Sequence, residues 1–393
     1  MWNRHLSSRF PKESFFLFGP RQVGKSTILA ETASLFRLDL LEPKLQLAYT
    51  KNPDRLLNEI ESAYSQNLDS SKLTAIIDEI QKVPALLDIV QMCMSKYPKL
   101  RWILTGSSAR KIRKNHANLL GGRALYRSLH PLTQGELESD FRLDLALSFG
   151  TLPKIYDIAL RGNSETAIEY LRSYVITYLN EEIKAEAIVR NLQGFQNFLE
   201  VAAAQFSEQI NFSELAKETQ VSYASAREYY NILEDTFLGF FLLPYLKSKR
   251  KRMSHQPKFY FFDNGVTRAL NSTLRNSINP IEKGRLFEQW VIQEIFRINL
   301  YESKDWKLLF WRTSHGAEVD LIIERGREIK CAIEIKFKTT LSPSDLSGIS
   351  AFRESGFSKV PCFLVAPIES TQTLNGVEIL PPLELLKKLK LSF

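Results

Sequence analysis

Apolar positions in the first third of the chain come in short continuous runs. Ser14–Phe18, Leu73–Ile77 and Arg101–Thr105 are three such stretches, and each is followed at once by a glycine or an acid. Runs without alternation suit strands of a parallel sheet covered on both faces. From Leu152 to Ala204 the spacing changes to threes and fours. Within Glu165–Asn180, the residues Ala167, Ile168, Leu171, Tyr174, Val175 and Tyr178 share one helical face, and breakers are few. Phe212–Leu233 then predicts two helices about a turn at Thr219–Val221, the first capped by Ser213 and the second by Ser222. Two strands follow, Leu238–Leu246 and Lys258–Phe262, joined by a basic hairpin from Lys247 to Arg252. Near the end, a helix over Lys283–Ile295 precedes strands at Leu308–Arg312, Gly316–Ile323 and Cys331–Lys336. The pattern predicts an α/β chain: a parallel sheet first, helices in the middle, and a second α/β region last.

Chemistry sits at the ends of these strands. Gly19, Pro20, Arg21, Gln22, Val23, Gly24, Lys25, Ser26 and Thr27 form GxxxxGK[ST] between a strand and a helix-forming segment. Glycines are needed there because the backbone must fold round a phosphate with its N–H groups pointing inward, and the following helix N-terminus adds a favourable dipole. With ATP and Mg²⁺ as ligands, Lys25 would reach the β and γ phosphates and Ser26 would ligate the metal. The Leu73–Ile77 strand delivers Asp78 at its carboxyl end, where ligands sit in open α/β sheets, to manage the Mg²⁺. Glu79 beside it is placed to polarise the attacking water, which is the role that makes such a site hydrolytic.

Further along come Asp-Glu-Ile-Gln-Lys-Val-Pro at 78–84, Leu-Thr-Gly-Ser-Ser at 104–108, Gly-Gly-Arg at 121–123 and Leu-His-Pro-Leu-Thr at 129–133. Together with the phosphate loop they resemble a large group of prokaryotic AAA+ ATPases that carry a carboxy-terminal region of unknown function. The resemblance implies that Ser107, the polar residue after the sensor strand, would hydrogen-bond the γ-phosphate or the lytic water, with Thr105 as the alternative. It also implies a homo-oligomer, a hexamer among the options, in which Arg123 would reach a neighbour's nucleotide. Contact of Arg123 with DNA or a local carboxylate is the competing role.

Helix, helix, strand, basic loop, strand is the order of a winged helix. Ser222, Tyr223, Ser225 and Arg227 would face a groove, with the wing's charge on phosphates; a protein-binding module is the alternative use. In the last region, Asp320 opens an apolar strand while Glu334 and Lys336 alternate along the next, so both face one side. Two such acids could bind a divalent metal and the lysine could orient water against a phosphodiester. This resembles the PD-(D/E)XK restriction-endonuclease-like fold, and the resemblance makes Glu288 its helix-borne acid, with Val319 in place of a proline before Asp320.

Composition narrows the partners. Hydrophobic residues at 44% and charged residues at 24% exclude a mostly disordered chain. The net charge is +8, and Arg101, Arg110, Lys111, Arg113, Lys114, Arg123 and Arg127 lie in a stretch with no acid. A second group is Lys247, Lys249, Arg250, Lys251 and Arg252. Lys111, Arg113, Lys114, Arg227 and the second group are therefore the expected DNA contacts. Three cysteines without metal-binding spacing suggest a reducing cytoplasm, and the longest apolar stretch, Phe237–Leu246, is about half of what a bilayer needs. The expected organisation is an ATPase core at 1–135, a helical lid and connector at 136–194, a winged helix-turn-helix at 195–270 and a nuclease-like part at 280–393. The expected function is an ATPase that moves or remodels DNA, branch migration being one form; an ATP-gated Mg²⁺-dependent nuclease and a signalling ATPase acting on a protein partner are the alternatives.

Overall fold

The computed structural model describes residues 2–66, 73–108, 120–178, 191–246 and 256–392. Lys111, Arg113, Lys114, Lys247, Lys249, Arg250, Lys251 and Arg252 lie outside the described residues. The chain divides into two compact units, Met1–His130 with Asp235–Phe237, and Pro131–Glu234 with Leu238–Phe393.

The first unit is built on five parallel strands: β1 (Phe15–Phe18), β2 (Phe36–Asp39), β3 (Thr74–Asp78), β4 (Arg101–Gly106) and β5 (Leu125–Ser128). Their order is β2-β3-β4-β1-β5. All four residues of β1 are buried, as are the first four of β3, which explains why these strands read as continuous apolar runs. Phe16, Phe18, Ile77, Trp102 and Leu104 pack with Leu86 and Val90 from the helix Leu86–Lys96. Each such buried side chain is worth about 1.5–3 kcal/mol. Because β1 pairs with both β4 and β5, the loop after Phe18 emerges beside Gly106 and Ser128, where the strand order reverses.

The second unit begins with helices at Leu143–Phe149, Pro153–Leu160, Ser164–Tyr178 and Leu192–Ala204. Ala167, Ile168, Leu171 and Tyr174 are buried as the spacing predicts, and Val175 is half-buried. A polar network anchors the start of the unit. Arg297, on the long helix Pro280–Glu302, is 1% exposed, pairs with Glu294 at 3.0 Å, and donates to the carbonyls of Leu132 and Phe262. Glu294 in turn accepts from the Gln134 N–H, and burial pushes its carboxyl up to about 7 against the pull of Arg297.

Phe212–Glu218 and Tyr223–Asp235 form the predicted helix pair, with Gln220 at φ 55° in the turn. Ser222 caps the second helix by accepting from the Ser225 N–H at 3.0 Å. The first is capped by Asn211 and not by Ser213: the Asn211 carboxamide oxygen accepts from the Glu214 N–H, which places Ser213 inside the first turn. The hairpin of β6 (Gly239–Pro244) and β7 (Lys258–Phe261) follows. The sheet then takes in β8 (Trp306–Arg312), β9 (Glu318–Arg325), β10 (Glu328–Ile335), β11 (Cys362–Val365), β12 (Gln372–Leu374) and β13 (Val377–Leu380) in the order β12-β13-β11-β10-β9-β8-β6-β7. It is a mixed sheet, with β10, β11 and β13 parallel and β8, β9 and β10 antiparallel. The hairpin is therefore part of this larger sheet. The outer edge of β6 pairs in parallel with β8, Leu243 opposite Leu309, so one sheet runs across the boundary expected between 270 and 280.

Candidate functional site

The first unit carries a pre-shaped phosphate loop. Gly19 has φ +143°, and a Cβ there would lie 2.1 Å from the Leu129 carbonyl oxygen; Gly24 has φ +96° at the cap of the helix Lys25–Ala30. Both positions demand glycine, the first by close approach as well as by backbone. Gly19→Ala is accordingly expected to cost several degrees of melting temperature and to weaken ATP binding, as scanning calorimetry and titration would show. A wild-type melting curve would mean that the loop accommodates the methyl group.

Lys25 is 6% exposed and donates to the carbonyls of Gly19 and Pro20 at 2.8 and 2.9 Å, so its ammonium is curled against the loop. Ser26 donates to Asp78 Oδ2 at 2.7 Å, which joins the loop to the end of β3. Thr105 donates to Asp78 Oδ1 and accepts from the Glu79 N–H at 3.1 Å. Glu79 has φ 57°, a left-handed conformation that turns the chain sharply out of β3, and is 7% exposed. Its Oε2 accepts from Gln81 Nε2 and, at 3.2 Å, from Ser107 Oγ. The two sensor-strand candidates thus divide between the two acids, Thr105 on Asp78 and Ser107 on Glu79. Arg123 stands apart: it is exposed, follows two left-handed glycines, Gly121 and Gly122, and donates to Ser95 Oγ at 3.2 Å.

Two contributors were missed in the sequence. Arg4 donates to the carbonyls of Val23 and His130 at 2.6 and 2.5 Å, tying the phosphate loop to the end of β5. Gln81, 4% exposed, reaches both Glu79 and Ser107, and its Oε1 is buried without a partner. Its signal in the sequence was its place two residues after Glu79, within the motif at 78–84.

In the second unit, the register of Leu321 opposite Ile333 sets Asp320 beside Glu334 on adjacent strands. Asp320 Oδ2 accepts from the Ile335 N–H at 2.7 Å, and Lys336 pairs with Glu334 at 2.6 Å. Glu288, on the long helix, accepts from Tyr260. A lysine not anticipated from the sequence joins them: Lys258 Nζ lies 2.5 Å from Glu318 Oε1 and 3.3 Å from Glu288 Oε1. Burial, reinforced by Glu334 and Glu288, pushes the Asp320 carboxyl well above the usual range, Lys336 and Lys258 opposing. Burial alone would lower Lys258, but Glu288, Glu318 and Asp320 outweigh it and hold the ammonium charged. Among the described residues no group of three or more His, Cys, Asp or Glu side chains is placed to hold a metal ion. The expected set Glu288, Asp320 and Glu334 is gathered as an ion-paired cluster, not as a ligand cage. On the helix pair, Tyr223 is 50% exposed and Arg227 stacks over Phe212 at 5.6 Å, both lining a groove of about 390 Å³.

Residues 11–138 match the family model described as an AAA domain, so the first unit carries such a domain. Residues 140–277 and 283–386 match two models, each described as a domain of unknown function. An uncharacterized protein of Mycobacterium tuberculosis is 25% identical over 336 residues, spanning 84% of this chain and 71% of the relative. Another from Methanocaldococcus jannaschii is 25% identical over 354 residues, spanning 79% and 73%. Among solved structures, the ADP form of the Aeropyrum pernix ORC2 protein aligns with TM-score 0.32 at 12% identity, covering 70% of this chain and 88% of that one. The replication initiator DnaA bound to AMPPCP and single-stranded DNA aligns with TM-score 0.29 at 10% identity, covering 58% and 86%. Likeness at that level places no site residue.

Proposed function

We propose that the chain is an ATPase whose turnover is coupled to DNA, with Lys25, Ser26, Asp78, Glu79 and Ser107 as its working residues. The observation that carries this is the arrangement at the end of β3. A carboxylate bonded to the loop serine and a second, buried carboxylate held by Gln81 and Ser107 lie on consecutive residues beside a phosphate loop. Ser26 and Asp78 offer a hydroxyl and a carboxylate oxygen, hard donors suited to Mg²⁺, which keeps most of its waters. Bound there, Mg²⁺ would neutralise phosphate charge. Lys25 would leave the two loop carbonyls for the β and γ phosphates, and Glu79 would take a proton from water that Ser107 helps to position. Arg123, exposed after its two glycines, is free of the loop and suits the role of a residue offered to a neighbouring subunit.

Coupling to DNA rests on the surplus of positive charge and on the exposed Arg227 and Tyr223 of the helix pair. Among the described residues no helix is long and apolar enough to cross a membrane. The test is binding of forked duplex DNA, with ATP turnover measured alongside. Affinity is expected to fall about 10³-fold or more between about 50 and 200 mM salt, Arg227→Ala to reduce the salt slope by about 1, and turnover to rise with DNA. No binding at about 50 mM salt, with turnover indifferent to DNA, would leave an ATPase acting on a protein partner.

A further inference from the structure

Residue types make Asp320 and Glu334 a divalent-metal pair with Lys336 beside it, and the resemblance adds Glu288, but the side chains around them do not fit a metal. Each of the three acids already accepts from a protein donor: Glu288 from Tyr260 and Lys258, Asp320 from the Ile335 N–H, Glu334 from Lys336. The oxygen of Glu334 that has no partner does not supply the missing position. It lies against Gly348, 2.9 Å from where a Cβ would stand. Lys258, meanwhile, is 4% exposed, its Nζ bridging Glu288 and Glu318 and its charge sensed at Asp320. An ammonium so deeply buried persists only where acids neutralise it.

We propose that the Lys258 ammonium is the resident cation of this cluster, occupying the place of a divalent metal and tying the β6–β7 hairpin to the long helix and to β9. Lys258 and Tyr260 are two residues apart on β7, so both face one side, and both grip the same Glu288 oxygen. The pairing of its strand with β6, Leu242 opposite Lys258, fixes the backbone from which the lysine reaches these acids. A divalent ion added to the acids would sit within a few ångströms of the buried Lys258 ammonium and the half-buried Lys336 ammonium, where screening is weaker than in water. The acids and lysines that resemble a nuclease centre here hold a strand in place, a role independent of the nucleotide site.

The experiment is Mn²⁺ uptake by the full chain without nucleotide, followed by the electron paramagnetic resonance of free Mn²⁺. Wild type and Asp320→Asn are expected to behave alike. Lys258→Met is expected to gain a stoichiometric Mn²⁺ that the double variant with Asp320→Asn loses. Uptake by wild type that Asp320→Asn abolishes overturns the proposal, as does a folded Lys258→Met that gains nothing. If circular dichroism shows Lys258→Met unfolded, Lys258→Gln takes its place, and the comparison of wild type with Asp320→Asn decides by itself.

Discussion

Lys25→Ala is expected to lower ATP turnover by about 10²–10³-fold or more, the scale on which loss of one pre-organised charge partner acts. Without ligand the ammonium donates to the Gly19 and Pro20 carbonyls, two acceptors at the mouth of a loop. Their loss costs a limited amount of stability, a charge-assisted hydrogen bond being worth about 1.5–3 kcal/mol net, and water can take the ammonium's place at the carbonyls. A triphosphate cannot be compensated in that way. Its phosphates would face the loop N–H groups and Mg²⁺, with no mobile side-chain charge to follow the reaction. The contrast is measurable without turnover. A ligand at 100 times its dissociation constant stabilises the wild type by about 2.7 kcal/mol, and so by several degrees. Lys25→Ala should melt close to ligand-free wild type and show no shift with ATP. A variant that keeps both shift and turnover would remove the loop from the site.

What the residue string revealed and what it concealed follow from the range of the interactions involved. The phosphate loop was legible because its constraint is local: φ values of +143° and +96° can be held only by glycine at 19 and 24. The parallel sheet was legible because strands buried on both faces must be continuously apolar. The cap of the first helix of the pair was misplaced because Asn211 and Ser213 are both capping residues, and one turn of backbone decides between them. Arg4 was invisible because its partner His130 lies 126 residues away. Lys258 was invisible for a related reason. In a strand whose four residues are all buried, a lysine reads as a strand entry until Glu288 and Glu318, from a helix and another strand, are brought beside it. The same holds for the sheet that joins β6 to β8: pairing of a free edge with a strand more than sixty residues on leaves no mark in local spacing.

Glu79→Gln is expected to leave ATP binding intact and to reduce turnover by about 10²–10⁴-fold, the contribution of a positioned general base. The substitution keeps shape and backbone demands the same, so the left-handed turn at φ 57° is no more strained than before. The new carboxamide oxygen can still accept from Gln81 and Ser107, which holds the side chain where the carboxylate stood. Only the ability to take a proton is lost. Binding and chemistry should therefore separate: an undiminished thermal shift with ATP, no burst of phosphate, and unhydrolysed ATP recovered from the protein after gel filtration. Asp78→Asn should behave differently. Asp78 accepts from both Ser26 and Thr105, so its loss should disturb Mg²⁺-dependent binding itself. Near-normal turnover in Glu79→Gln, with Asp78→Asn inactive, would place the base elsewhere and make Glu79 a residue that merely holds Gln81 and Ser107 in position.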